Sequence, residues 1–154
     1  MLNRYVGRTF IKPDPGDRQA SVKLKLNAIK EVVRGKRLIV VDDSVVRGTT
    51  CRAKMALLRE AGAKEVHFRI TCPPHRFGCY YGIDFPQKKE LLAAAHDIDE
   101  IRDFLKVDSV AYNTLEGMLS CVSNPPDHYC HACFTGDYIV PVEEGYGKFV
   151  MEKT

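Results

Sequence analysis

The chain has 154 residues, 45% of them hydrophobic and 28% charged, a balance typical of one soluble globular domain with a buried core. No apolar run approaches the ~18 residues of a membrane span, and the N-terminus lacks the pattern of a signal peptide, which argues against membrane insertion and secretion. The net charge of +3 is too small to indicate nucleic-acid binding by itself.

Residues 1–37 carry most of the positive charge. They hold ten Lys and Arg against three Asp and Glu, a net charge of +7, whereas residues 38–154 hold 13 against 17, a net charge of −4. The turn-rich run Lys12-Pro13-Asp14-Pro15-Gly16-Asp17 excludes a helix or a central strand there. Charge alone leaves two interpretations open: an arm that attracts a polyanion, and a solvated, mobile arm.

The next stretch predicts a βαβ unit. Leu38-Ile39-Val40-Val41 is a continuous apolar run, which is typical of a strand covered on both faces. A helix is expected from Thr50 to Ala61, with a stop at Gly62. The alternation of Val66, Phe68 and Ile70 then indicates a second strand, which ends before Pro73-Pro74.

Further helices and strands alternate after this unit. We expect helices over Lys88–Ala95 and Asp99–Leu105, with Asp97 and Glu100 at capping-box spacing. A strand over Ser109–Tyr112, a short helix through Leu115, Met118 and Leu119, and an irregular segment with a Cys pair from Pro125 onward complete the chain. This order predicts an α/β fold with a mostly parallel sheet flanked by helices.

The string Val40-Val41-Asp42-Asp43-Ser44-Val45-Val46-Arg47-Gly48-Thr49-Thr50 is the most informative part of the sequence. It joins a strand end to a helix start, where open α/β sheets bind ligands and where free backbone N–H groups suit a phosphate. Gly48 permits close approach of the backbone, and the Thr hydroxyls add donors. Two adjacent carboxylates need a cation or hydroxyl donors, which a ribose diol or hydrated Mg²⁺ provides.

Other proteins place similar residues at a strand end. Acidic pairs occur in nucleotide hydrolases and phospho-acceptor domains, and a Gly/Thr loop can be a simple helix cap. The Walker pattern Gly-x-x-x-x-Gly-Lys-Ser/Thr is absent from the string. Because every position suits one ligand, the whole string favours a phosphorylated sugar.

This string resembles the phosphoribosyl pyrophosphate (PRPP) motif of type I phosphoribosyltransferases, and its surroundings resemble the glutamine phosphoribosylpyrophosphate amidotransferase family. The resemblance runs over nearly the whole chain. The matching segments are Asn3-Arg4-Tyr5-Val6-Gly7-Arg8-Thr9-Phe10-Ile11, Val22-Lys23-Leu24-Lys25-Leu26-Asn27, Gly35-Lys36-Arg37, Cys79-Tyr80-Tyr81-Gly82-Ile83-Asp84 and Cys130-His131-Ala132-Cys133-Phe134-Thr135-Gly136-Asp137-Tyr138.

The resemblance implies a type I phosphoribosyltransferase-like fold and a reaction, the first committed step of purine synthesis. Ammonia released from glutamine at a separate site is transferred to C1 of PRPP, giving phosphoribosylamine and pyrophosphate with the help of Mg²⁺. It implies that Asp42 and Asp43 hold the ribose hydroxyls and the Mg²⁺ environment, and that Ser44 to Thr50 cradle the 5-phosphate. Such catalysis depends on positioning and charge stabilisation, so no acid or base residue is assigned.

The basic N-terminal segment corresponds, by the same resemblance, to a flexible loop that closes over bound PRPP and excludes water. Arg8, Lys23 and Lys25 are candidates for neutralising the pyrophosphate or ordering this lid. The alternative is that these three residues are ordinary solvated cations.

The six cysteines are interpreted as two groups. Cys130-x-x-Cys133 is a pair that zinc and iron–sulfur centres both use. The resemblance implies that Cys79, Cys130 and Cys133 are three ligands of a [4Fe–4S] cluster whose fourth ligand lies upstream of Met1. Zinc is the rival, with His75, His128 or His131 as fourth ligand. Cys51, Cys72 and Cys121 are expected to pack as small apolar residues, and Cys51, near a helix N-terminus, is a candidate for a lowered pKa.

The family pattern also contains parts that this sequence lacks. These are a glutaminase domain, the first strand of the sheet and a pyrophosphate loop. We therefore expect residues 1–122 to form part of a transferase domain and residues 123–154 a Cys-containing extension packed on it. Two hypotheses follow: an enzyme portion that works with its missing half, and a non-catalytic PRPP- or cluster-binding remnant.

The remaining expectations concern location and partners. They are a cytoplasmic location, a homo-oligomer at full length and purine nucleotides as possible inhibitors, with neither a nucleic acid nor a membrane as partner.

Overall fold

The computed structural model describes residues 28–83 and 88–141. Their central feature is a three-stranded, fully parallel sheet in the order β1-β2-β3. In chain order the elements are α1 Lys30–Val33, β1 Arg37–Asp42, α2 Thr49–Glu60, β2 Glu65–Ile70, a 3-10 helix Lys88–Glu90, α3 Leu92–Ala95, α4 Ile98–Leu105, β3 Ser109–Tyr112, α5 Leu115–Leu119, a 3-10 helix Pro126–His128 and α6 Ala132–Thr135.

The strands run in one register, with Arg37 opposite Glu65 and Asp42 opposite Ile70, and with Ile70 in turn opposite Tyr112. All three strands therefore end at the same edge of the sheet. This is the predicted βαβ arrangement, and its strand and helix bounds lie within one residue of the expected ones around Asp42. The α/β fold class with a parallel sheet and flanking helices is confirmed.

The core lies between one face of the sheet and the helices α2 and α4. Alternate strand residues point into it because side chains on a strand alternate between faces. Phe68, Met55, Leu105 and Val66 are fully buried there. The capping box predicted at Asp97 is present: its carboxylate accepts from the Glu100 N–H at 2.9 Å, and the Glu100 carboxylate accepts from the Asp97 N–H at 3.0 Å.

The opposite face of β1 differs from expectation. Ile39 and Val41 are 71% and 62% exposed, so the prediction of a strand covered on both faces is wrong for the described chain. The physical reason is that α2 and α4 both pack on the core face. On the exposed face of β2 and β3, Ser109 Oγ lies 2.9 Å from His67 Nδ1 and accepts from Arg69 Nη1 at 3.0 Å.

Two further predictions of local structure need correction, and one short helix was not predicted. The helix expected over Lys88–Ala95 is two short helices, because Leu91 is extended (φ −77°, ψ 115°) and the Leu92 N–H bonds to Val46 O at 2.9 Å instead. The segment from Pro125, expected to be irregular, contains two short helices. The short helix α1 has too little periodicity to be seen in the sequence.

The helices bear on one further expectation. Within residues 28–83 and 88–141, no helix is both long enough and apolar enough to cross a lipid bilayer.

Candidate functional site

The acidic loop occupies the turn from β1 into α2, at the edge where all three strands end. Asp42 is the last residue of β1, and Gly48 is the N-cap of α2. The Thr71 N–H donates to Asp42 O at 3.0 Å, so the residue that follows β2 fixes the backbone of the loop from the side. In open α/β sheets, this edge is where ligands bind.

The two carboxylates have different surroundings. Asp42 is half-buried, and its Oδ2 accepts from Lys54 Nζ at 2.7 Å, with Cys51 Sγ 3.9 Å from the same oxygen. Asp43 is exposed, and its Oδ1 accepts from the neighbouring Ser44 hydroxyl at 3.1 Å. Asp42 still belongs to β1, whereas Asp43 lies in the bend that follows it. Asp42 is therefore neutralised within the protein, whereas Asp43 is open to a ligand.

Close packing fixes the back of the loop. Val45 is 1% exposed, and Val46 O accepts from the Leu92 N–H at 2.9 Å. Gly48 has φ +74°, a left-handed conformation that favours glycine, and a Cβ there would lie 2.7 Å from Leu92 Cδ2 and 3.0 Å from Phe104 Cε1. The sequence predicts that Gly48 allows close approach to an anion; the structure adds a second reason for glycine, which is contact with α3 and α4.

The first turn of α2 has no side-chain cap. Among the described residues, no side chain caps α2 at Gly48, whereas α4 and α5 are capped by Asp97 and Thr114. Thr49 and Thr50 lie in this first turn, with Thr49 exposed. An uncapped helix N-terminus beside a positive-φ glycine offers several backbone donors and a partial positive charge to an anion.

Arg47, the positively charged residue of the loop, is held by a distant part of the chain. Its Nε donates to Glu90 Oε2 at 2.8 Å, and both side chains are about two-fifths exposed. The sequence gives no signal for Glu90, which is 43 residues away. Lys54 was also missed, although its position one turn after Thr50 places it on the same side of α2 as the loop.

The acidic pair fits the way proteins hold Mg²⁺. Mg²⁺ keeps most of its waters and takes one or two carboxylates together with substrate phosphates. Asp43, and the Asp42 oxygen that Lys54 does not occupy, provide such a set. Within the described residues, His, Cys, Asp and Glu do not gather in a group of three or more that could by itself hold a metal ion.

The predicted cluster ligands lie where the loop after β2 meets α6 and the residues before it. Cys133 O accepts from the N–H groups of Arg76 and Phe77, both at 3.1 Å, and the Tyr138 hydroxyl donates to Gly78 O at 2.7 Å. Burial raises the pKa of the Cys133 thiol, and the neighbouring Cys79 and Cys130 raise it further. These three thiols are neighbours but do not form a metal-holding group among residues 28–83 and 88–141. The [4Fe–4S] assignment therefore stays a prediction.

The alternative zinc ligands are spread over different surroundings. His75 is buried, with its ring edge-on to Phe134 at 4.8 Å, and burial lowers its pKa. His131 Nδ1 lies 3.4 Å from Thr135 Oγ1, and His128 is exposed in a 3-10 helix. The described structure therefore supports no zinc site at these histidines.

Two expectations for the other cysteines are wrong. Cys121 is exposed rather than packed. The pKa of Cys51 is raised to about 11, not lowered, because its burial and then the Asp42 charge disfavour the thiolate. Burial likewise raises the pKa of the half-buried Cys72 to about 11. The helix N-terminus does not compensate for the desolvation of Cys51, which is not a nucleophile at neutral pH.

Some predicted site residues and one nearby cavity stand apart from the loop. The lid residues Arg8, Lys23 and Lys25 lie outside the described residues. A cavity of about 380 Å³ lies near the same sheet edge, between Arg76 and the start of α4, and no residue of the acidic loop lines it.

Comparison with known proteins gives consistent matches. A model of the phosphoribosyl transferase domain matches residues 7–89. The amidophosphoribosyltransferase of Methanothermobacter thermautotrophicus is 45% identical over 147 residues, covering 96% of this chain and 31% of that protein. The amidophosphoribosyltransferase of Mycobacterium tuberculosis is 49% identical over 159 residues, covering 99% of this chain and 30% of that protein.

Solved structures agree with the sequence matches. The Bacillus subtilis glutamine PRPP amidotransferase complexed with ADP and GMP superposes with a TM-score of 0.77 at 44% identity, over 94% of this chain and 33% of that one. A structure described as the allosteric regulatory enzyme of purine biosynthesis gives a TM-score of 0.76, also at 44% identity. The chain thus spans about a third or less of the proteins that it matches.

Proposed function

The chain belongs to the phosphoribosyl transferase family, and from this premise we propose that its β1–α2 loop binds PRPP. We further propose that the chain supplies the PRPP-binding part of an amidophosphoribosyltransferase. In that reaction ammonia from glutamine replaces pyrophosphate at C1 of PRPP and gives phosphoribosylamine. The main support is the exposed Asp43 carboxylate beside the uncapped start of α2, because the pair matches a sugar diol next to a phosphate.

The proposed binding mode assigns the ends of the ligand separately. Backbone N–H groups of the Gly48–Thr50 turn and the two Thr hydroxyls receive the 5-phosphate. Asp43 accepts hydrogen bonds from the ribose hydroxyls. Asp42, neutralised by Lys54 at 2.7 Å, adds an oriented oxygen without adding a second unpaired negative charge.

Charge and position carry the proposed catalysis. Asp42 and Asp43 would hold Mg²⁺ together with the substrate oxygens, and the ion would supply positive charge for the departing pyrophosphate. The loop holds the ribose so that ammonia meets C1 in a fixed orientation. No proton transfer is assigned to a side chain, since the proposed catalysis depends on position and charge.

Other parts of the proposal concern the full-length relatives. The proposal includes the supply of ammonia by a glutaminase domain, inhibition by purine nucleotides, a homo-oligomer and a cytoplasmic location. A nucleotide-bound relative supports the nucleotide part, because the B. subtilis enzyme was solved with ADP and GMP. The lid role of Arg8, Lys23 and Lys25 and a [4Fe–4S] cluster on Cys79, Cys130 and Cys133 are proposals that rest on the resemblance.

Calorimetry with PRPP and Mg²⁺ tests the binding site. We expect wild-type chain to bind PRPP and Asp43→Asn to bind at least about tenfold more weakly, the loss of roughly one charge-assisted contact. Asp103→Asn is the matched control, because Asp103 is an exposed carboxylate on α4 that pairs with Arg102. Absence of binding by wild type, or equal binding by the Asp43 variant, would overturn the proposed site.

A second assay separates an enzyme portion from a non-catalytic remnant. Release of pyrophosphate from PRPP is followed with ammonium as the nitrogen donor, which removes the need for a glutaminase. Turnover by the chain with an intact Asp43, lost in Asp43→Asn, supports the enzyme. Binding without turnover favours the remnant.

A further inference from the structure

The segment Lys88–Leu92 contacts three successive residues of the acidic loop, which are Val46, Arg47 and Gly48. Glu90 Oε2 accepts from Arg47 Nε at 2.8 Å, the Leu92 N–H donates to Val46 O at 2.9 Å, and Leu92 Cδ2 fills the space beside Gly48. These contacts are an ion pair between side chains, a backbone hydrogen bond and a van der Waals contact. The segment therefore supports the loop from outside the βαβ unit that carries it.

The bond from Arg47 to Glu90 uses only one of the hydrogen-bonding groups of the guanidinium. A guanidinium has five N–H donors, and Glu90 uses the one on Nε. Within the described part of the chain, Nη1 and Nη2 of Arg47 make no hydrogen bond or ion pair. Arg47 directly precedes Gly48, the residue at the uncapped start of α2. The two terminal amino groups of Arg47 are thus attached at the edge of the proposed anion site.

We propose that Glu90 is a positioning residue for anion binding: it fixes Arg47 through Nε so that the two terminal amino groups serve the phosphate-bearing ligand. This inference rests on the proposed function of the loop. An unattached arginine loses rotamer freedom when it binds, whereas one already fixed at Nε loses less. The negative charge of Glu90 alone would act in the opposite direction, because it repels an anion.

The opposite signs of these two effects define the test. PRPP affinity in the presence of Mg²⁺ is measured by calorimetry for wild type, Glu90→Ala and Glu90→Gln. Glu90→Ala removes the acceptor of the Arg47 bond, and we expect PRPP affinity to fall about tenfold, the size of one lost charge-assisted bond. Glu90→Gln keeps an acceptor oxygen on a side chain of the same length but without the charge, so we expect it to retain most of the PRPP affinity of wild type. If both variants raise affinity, Glu90 acts by charge alone and the inference is overturned.

A double-mutant cycle shows whether Glu90 acts through Arg47. Arg47→Gln is expected to weaken PRPP binding, and adding Glu90→Ala to it is expected to cause little further loss. Additive losses would show that Glu90 acts through another contact, and would overturn the inference. Melting temperatures of all variants accompany the cycle, since an exposed ion pair adds little to stability and a structural role would shift them.

The chain contains a matched control at the other end of the sheet. Arg37 Nε donates to Glu65 Oε2 at 2.5 Å, at the start of β1 and β2. This ion pair joins the same two atom types as the pair of Arg47 and Glu90. Glu65→Ala is therefore expected to leave PRPP affinity unchanged. If wild type binds PRPP and Glu90→Ala binds equally well, this inference alone fails. If wild type does not bind PRPP, the proposed function fails and the inference with it.

Discussion

Individual residues show most clearly how tertiary contacts modify a sequence motif. Asp42 and Asp43 are equivalent in the sequence, yet Lys54 lies 2.7 Å from the first, whereas the second contacts only its neighbour Ser44 through its side chain in the described structure. Lys54 comes within reach because α2 folds back over the end of β1. One carboxylate is thereby paired within the protein, and the other is left exposed at the site.

The Tyr112 hydroxyl leads to a stability prediction. It is a buried side-chain oxygen without a hydrogen-bond partner among the described residues, and burial raises its pKa to about 12. Because Tyr112→Phe removes an unsatisfied polar group, we expect the free energy of unfolding in urea to rise by about 1 kcal/mol. Tyr138→Phe is the control, since its hydroxyl donates to Gly78 O at 2.7 Å and its removal should destabilise. Equal losses in the two variants would contradict the prediction.

Thiol reactivity is the second prediction at this scale. Cys51 is 6% exposed and its pKa is raised to about 11 by burial, whereas Cys121 is exposed. With iodoacetamide at pH 8, we expect Cys121 to be modified early and Cys51 to react only on a timescale of local opening. Mass spectrometry of the native protein at successive times measures both rates. Modification of Cys51 as fast as that of Cys121 would show that α2 does not bury it.

Secondary-structure elements were predicted well wherever the determining contacts are local. The strands β1, β2 and β3 and the helices α2 and α4 follow from periodicity, and the Asp97 cap follows from residue spacing. The break at Leu91 did not follow, because it depends on the bond from the Leu92 N–H to Val46 O in a distant loop. Long-range backbone bonds override local helix preference there.

Asp108 connects three elements and predicts a pH dependence. Its Oδ2 accepts from the Val66 N–H at 2.6 Å and from Arg59 Nη2 at 2.5 Å, which joins the start of β3 to β2 and α2. These contacts hold the pKa of Asp108 below its usual range, with the Val66 bond as the largest favourable cause. The ionised form is thus favoured in the folded state, so its stabilisation is present above the unfolded pKa of about 4 and is lost as the pH falls through the folded value.

The variant Asp108→Asn tests this dependence. At pH 7 we expect its free energy of unfolding to be lower by about 0.5 to 1 kcal/mol, a modest figure because solvent screens this partly exposed carboxylate. The difference from wild type should shrink as the pH falls below about 4. Urea unfolding between pH 3 and 7 measures it. If the difference in free energy of unfolding stays constant over this range, Asp108 does not contribute to the loss of stability in acid.

At the scale of the whole molecule, helices cover only one face of the sheet in the described part of the chain. The helices α2 and α4 cover one face. Among residues 28–83 and 88–141, Ile39 and Val41 are exposed on the other face and β1 pairs only with β2. Exposed apolar side chains on an edge strand favour association with other molecules. The chain spans about a third or less of the length of its relatives.

The exposed face gives a prediction for the whole molecule. The double variant Ile39→Thr with Val41→Thr keeps β-branched side chains but removes apolar surface, so we expect lower fluorescence of a bound hydrophobic dye and less association at high concentration. Stability should change by less than about 1 kcal/mol, because neither side chain is buried. Sedimentation and dye fluorescence measure the outcome. Unchanged dye binding would place the apolar surface elsewhere.

The sequence by itself determined the order of strands and helices, the family resemblance and the position of the acidic loop, since periodicity, caps and a contiguous motif are local properties. Only the tertiary structure decided which carboxylate is neutralised, that burial outweighs the helix N-terminus at Cys51, and that Glu90 holds Arg47 from 43 residues away. Each of these depends on which side chains the fold brings together and on how much water it removes around them. Distance and burial are properties of the packed chain, and residue spacing does not contain them.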